Sequence, residues 1–125
     1  IDRAADIGIS PDPGPEVITG STRMKCGTAQ KMVLNMLSTC TMVKLGKVYG
    51  NLMVDVKPSN EKLVHRCISI VRETTGADEK TAVAALEECG YKCKTAIVML
   101  LCSVSADEAE ARLGRSDGRV ADAIR

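Results

Sequence analysis

The chain has 125 residues, enough for one modest domain or for the end of one joined to a small second. Its 17 basic and 16 acidic side chains leave a net charge of +1, so no overall field gathers nucleic acid or an anionic membrane, and any anion preference must be local. With two tyrosines and neither Phe nor Trp, the core has to be Leu, Ile, Val, Met, Ala and Cys, and stacking platforms for nucleic-acid bases are missing.

Residues 4–9, Ala-Ala-Asp-Ile-Gly-Ile, form a short apolar run closed by Ser10-Pro-Asp-Pro-Gly, which predicts the last strand of a buried parallel sheet. Next comes a loop. Pro13 and Pro15 bar helix or central strand, while Gly14 and Gly20 permit turns that a side chain would block. Thr19, Ser21 and Thr22 bring hydroxyls to the point where helical periodicity begins, and Ser21 or Thr22 is the expected N-cap. Arg23 and Lys25 then fall in the first turn, where the helix dipole disfavours cations. Two readings stand: hydroxyls, backbone N–H groups and cations that together hold a phosphate or carboxylate, or a capped helix whose basic side chains lie in solvent.

From Arg23 to about Leu45, Cys26, Ala29, Val33, Met36, Leu37, Cys40 and Val43 step by three or four, predicting one long helix with a continuous apolar stripe, stopped at Gly46. Residues 48–56 read as extended, with a short strand at 52–56 closed by Pro58. Asn60 caps a helix to about Thr75 with Leu63, Val64, Cys67, Ile68 and Val71 inward and Gly76 as its stop. Asp78 caps another carrying Ala82, Val83, Leu86 and Cys89; residues 95–102 are apolar nearly all round, predicting a buried central helix. Ser105-Ala-Asp-Glu108 is a capping box opening a helix to Gly114, and residues 119–124 add a last turn.

Six cysteines suit reduced, packed thiols better than a disulfide framework, with Cys40, Cys67 and Cys102 assigned to packed helical faces. Cys89 and Cys93 match neither a zinc knuckle nor a redox pair, and His65 lies off its helix's stripe, so neither a metal site nor a histidine base is expected. No apolar run reaches the roughly 18 residues of a membrane span, and the start lacks the blocks of a signal peptide, so a cytoplasmic protein is expected. The start at Ile1 suggests a piece of a longer chain.

Residues 14–25, Gly-Pro-Glu-Val-Ile-Thr-Gly-Ser-Thr-Arg-Met-Lys, followed by Gly27-Thr-Ala-Gln-Lys31, resemble the signature of the N-acetylmuramic acid 6-phosphate etherases and the related glucokinase regulatory proteins. The resemblance continues in Val33-Leu-Asn-Met-Leu, in Gly46-Lys-Val-Tyr-Gly-Asn-Leu-Met-Val-Asp and in Lys92-Cys-Lys-Thr-Ala-Ile; Cys26 and Cys40 depart from it, standing where the family is expected to carry alanine. It implies a mostly α chain: residues 1–58 as the C-terminal end of an α/β sugar-isomerase domain with a three-layer parallel sheet, and residues 59–125 as a small helical bundle resembling a ubiquitin-associated domain.

The activity implied is elimination of D-lactate from the sugar ether and addition of water, giving N-acetylglucosamine 6-phosphate, with no metal or organic cofactor. The family's two catalytic glutamates lie in its N-terminal half, so no catalytic residue carries over. What carries over is a sugar-phosphate pocket at Ser21 and Thr22, with Thr19, Arg23 and Lys25 beside them. Glu16 bonds sugar hydroxyls or takes part in proton transfer, or else bonds nearby backbone N–H groups. A homodimer binding sugar phosphate, with no nucleic-acid or membrane partner, is expected. The alternatives are a non-catalytic sugar-phosphate sensor resembling the glucokinase regulators, which the single copy of the signature disfavours, and a plain helical interaction module.

Overall fold

A computed structural model describes residues 4–125, which pack as two compact units, one running to Thr41 and the other from Met42 to Arg125.

In the first unit, residues 4–7 form a turn and bends and residues 8–16 have no regular structure. The expected strand at 4–9 is therefore absent. A strand exists only through its hydrogen-bonded neighbours, and among the described residues none runs beside this segment. Helix α1, Lys25–Lys44, begins in this unit, two residues later than expected. Ala, Gln, Met and Leu favour its helical backbone. No α1 residue is buried: Cys26, Ala29 and Val33 of the expected stripe are half-buried, whereas Met36, Leu37, Cys40 and Val43 are exposed. Cys40 is thus a surface thiol and not a packed one. Met32 and Leu34 are also exposed and lie to either side of the stripe, so the apolar character spreads round the helix.

The second unit holds the core. Gly46 stops α1 in the left-handed region at φ 66°. Residues 48–53 form an antiparallel hairpin of β1, Val48–Tyr49, and β2, Leu52–Met53, with Val48 opposite Met53. Gly50, at φ 57°, occupies the first position of its two-residue turn, where the tight turns that match strand twist need a positive φ. The sequence reading placed one strand at 52–56 and missed its partner.

The helices follow as α2, Glu61–Thr75; α3, Glu79–Glu88; α4, Cys93–Cys102; α5, Ala106–Arg115; and α6, Val120–Ala123. Asn60, Asp78 and Ser105 each accept a backbone N–H of the first turn, from Leu63, Thr81 and Glu108. The capping box is only half made, because the Glu108 carboxylate turns to Arg112 at 2.9 Å and Arg115 at 3.3 Å. Helix α4 is the centre, burying Cys93, Thr95, Ala96, Ile97, Val98 and Met99 against α2, α3, α5 and α6. Val54, 1% exposed, joins the same core as Cys67 and Ile97.

Candidate functional site

The signature loop lies in the first unit. Its bends come from the residues that permit them: Gly14, at φ 72°, donates its N–H to Asp12 Oδ1 at 3.0 Å, and Gly20, at φ 81°, precedes Ser21, whose N–H reaches the Ile18 carbonyl at 3.0 Å.

The start of α1 is closed by a group nine residues away. Glu16 Oε2 accepts the Lys25 N–H at 3.1 Å, and Oε1 accepts the Cys26 N–H at 3.2 Å. In return Lys25 Nζ donates to the Pro15 carbonyl at 2.8 Å. The Lys25 N–H, and then that of Cys26, hold the Glu16 carboxyl below its ordinary pKa, so it is an ionised acceptor at neutral pH. Neither Ser21 nor Thr22 is the N-cap: Ser21 Oγ accepts only the Arg23 N–H, at 3.4 Å, ahead of the helix. The expectation failed because cap rules read acceptors within a few residues of the helix start, while Glu16 reaches it through a folded loop.

Thr19, Thr22, Arg23 and Lys25 are exposed, and Ser21 and Glu16 are half-buried. Thr19, Ser21, Thr22 and Arg23 thus fall within five successive residues of the loop, while Lys25 and Glu16 are engaged by the backbone. Hydroxyls and cations can bind a phosphate. An ionised carboxylate whose two oxygens both accept amides has no proton to give.

The second unit has a cleft of about 280 Å³ lined by residues 54–58, residues 90–95 and Leu113, which the sequence reading did not single out. Its lysines are largely spoken for. Lys92 Nζ lies 2.6 Å from Glu110 Oε1; Lys94 Nζ donates to the Gly118 carbonyl at 3.0 Å and stands 3.8 Å from Asp55. A hydrogen bond from Lys47 and the charge of Lys94 hold Asp55 below its ordinary range against the opposing effect of burial. The local signal was Lys92-Cys-Lys-Thr, entering α4 without a side-chain cap. His65 is exposed, its Nε2 3.8 Å from Glu61. Among the described residues no three His, Cys, Asp or Glu side chains gather to hold a metal, and no helix is long and apolar enough to cross a membrane.

Comparison with known proteins extends the resemblance beyond the loop. Residues 50–96 match the family described as the C-terminal lid domain of glucokinase regulatory protein. The chain is 56% identical over 120 residues to the N-acetylmuramic acid 6-phosphate etherase of Klebsiella aerogenes, covering 96% of this chain and 40% of that protein. The etherase of Edwardsiella ictaluri (strain 93-146) is 59% identical with the same coverage. That of Mycolicibacterium smegmatis (strain ATCC 700084 / mc(2)155) is 57% identical over 124 residues, 99% of this chain and 42% of that protein. The chain thus spans about two-fifths of the length of the curated relatives it matches.

Proposed function

We propose that this chain is the C-terminal part of a carbon–oxygen lyase that cleaves the D-lactyl ether of N-acetylmuramic acid 6-phosphate, giving N-acetylglucosamine 6-phosphate and D-lactate in cytoplasmic recycling of cell-wall sugar. The observation that carries this is identity of 56% across 96% of the chain to a protein of that name, a stretch that takes in the signature loop. Residues 1–58 then contribute the end of the sugar-isomerase domain, and residues 59–125 a helical domain resembling the ubiquitin-associated fold.

In this reading Thr19, Ser21 and Thr22 donate hydroxyls to the phosphate, and Arg23 and Lys25 supply positive charge. The elimination and the addition of water each need an acid and a base; the ionised Glu16 has no proton to give as the acid, and its bonds to the Lys25 and Cys26 amides suit it to holding the loop. Those groups belong to the rest of the enzyme; this chain binds and orients. Exposed Met32, Leu34, Met36 and Leu37 on α1 support covering by the remainder of that domain and by a second subunit of a homodimer.

The test is Ser21→Ala with Thr22→Ala in the full-length protein that carries this chain, measuring affinity for the sugar phosphate, lactate release and thermal midpoint. Each lost hydrogen bond to a charged phosphate is expected to cost about 1.5–3 kcal/mol of binding, without strict additivity. The midpoint is expected to hold, since neither hydroxyl caps α1. Unchanged affinity would remove the loop from the site. The second reading, a sugar-phosphate sensor, draws on the lid-domain match at residues 50–96; binding without lactate release by the full-length protein would select it.

A further inference from the structure

We propose that Glu16 is a positioning residue: its carboxylate fills the anion position at the N-terminus of α1 and clasps residues 17–24 into a turn, so that a sugar phosphate is taken by the hydroxyls of that turn and not by the helix amides. The inference rests on the function proposed above and adds a role to its loop.

The geometry is a two-way tie. Both oxygens of one carboxylate are used, one on each of two successive amides, and the side chain of Lys25 returns to the carbonyl immediately before Glu16. Residues 15–16 are thereby fastened to 25–26 by three hydrogen bonds, and the intervening eight residues are closed as a loop. Free N–H groups at a helix start are a ready anion site. Here two of them already face a full negative charge, so a phosphate arriving at α1 would meet repulsion at Glu16 and find acceptors in place of donors. Thr19, Ser21, Thr22 and Arg23 all lie within the eight residues that the tie closes. A shorter acid cannot span the same two amides without moving the loop, and a neutral amide keeps one acceptor oxygen and loses the other along with the charge.

The experiment uses the full-length protein that carries this chain, with Glu16→Gln, Glu16→Ala and the wild type, measuring kcat and KM on N-acetylmuramic acid 6-phosphate with and without added acetate or acetamide. Glu16→Ala is expected to raise KM about tenfold or more with kcat within about threefold of wild type. Glu16→Gln is expected to fall between. Acetate should bring the KM of Glu16→Ala back towards wild type by refilling the carboxylate position, and the neutral isostere acetamide should not. A fall in kcat of about a hundredfold or more in Glu16→Gln at unchanged KM would instead make Glu16 a proton-transfer group and overturn the proposal, as would an unchanged KM in Glu16→Ala. A lack of lyase activity in the wild type would count against the functional reading alone. In that case amide exchange decides: the Lys25 and Cys26 amides should exchange faster in Glu16→Gln than in wild type while those of α4 stay the same, and equal exchange at Lys25 and Cys26 would end the proposal.

Discussion

Cys93 opens α4 at 2% exposure, and burial, followed by its hydrogen bond with Cys67, pushes its thiol far above the ordinary range. Burial also raises Cys89. Since the thiolate is the reactive species, neither should react from the native state, nor should the fully buried Cys67, whereas exposed Cys40 is open to reagent. Labelling resolved by mass spectrometry is expected to modify Cys40 first, and Cys67, Cys89 and Cys93 only at the rate of unfolding. The six thiols are unpaired, so counting under denaturing, non-reducing conditions should find all six; four or fewer would contradict it. Glu16 makes a second prediction at this scale. Its folded pKa is depressed, so the clasp is fully present above the ordinary glutamate range and is lost as pH falls through the folded value. The amide proton shifts of Lys25 and Cys26 should therefore titrate together in acid, below the ordinary range, and Glu16→Gln should abolish that step.

The end of α1 and the hairpin offer a controlled comparison between elements. A Cβ on Gly46 would lie 2.8 Å from Arg119 Cγ and 3.3 Å from the Gly118 carbonyl, while one on Gly50 would meet nothing within 4 Å. Both glycines have positive φ, at 66° and 57°. Alanine at either position carries the left-handed penalty of about 1–2 kcal/mol. At Gly46 it must also displace Arg119, whose Nη2 caps the Lys44 carbonyl at 3.1 Å, a favourable place for a cation at a helix C-terminus. Gly46→Ala is therefore expected to lower stability more than Gly50→Ala, by about a further 1 kcal/mol. Denaturant unfolding of the two variants measures the difference, and equal losses would show that the Arg119 contact contributes nothing. Helix α4 sets the upper end of the scale: Ile97 is fully buried, and Ile97→Ala should cost about 2–5 kcal/mol.

Among the described residues, every buried hydrophobic side chain lies between Val54 and Ala123, inside the second unit. The described apolar residues of the first unit are exposed or half-buried. Cooperative stability should then reside in residues 42–125, and a chain cut to that length should keep a single thermal transition near that of the intact 125 residues. In hydrogen exchange, amides of α1 before Thr41 should exchange well ahead of those in α2 and α4, since helices gain most of their stability from packed faces; equal protection would mean that α1 is held by more than its own backbone. Residues 1–125 alone should release no lactate from N-acetylmuramic acid 6-phosphate, because the paired glutamates that the resemblance implies are not among them.

Asn60, Asp78, Gly76 and Ser105 were legible as helix signals in the amino-acid order alone, because a cap bonds backbone N–H or carbonyl groups within four residues of itself and needs no distant partner. The central place of α4 was legible too, since a segment apolar on nearly all sides has nowhere else to go. The loop could be recognised by its residue string, but its internal geometry could not. Glu16 meets amides nine and ten residues away, a separation that leaves no periodic trace. The hairpin was half missed because strands of two residues are too short to show alternation. The strand expected at residues 4–9 and the burial expected along α1 failed for a common reason. An apolar pattern states which face can be covered, and only the elements packed or paired beside it decide whether it is. Sequence thus determined the caps of α2, α3 and α5, the helix order and the identity of the signature loop, all properties of near neighbours. Tertiary structure alone decided what Glu16 holds and which apolar faces are covered, because those depend on contacts between residues far apart in the chain.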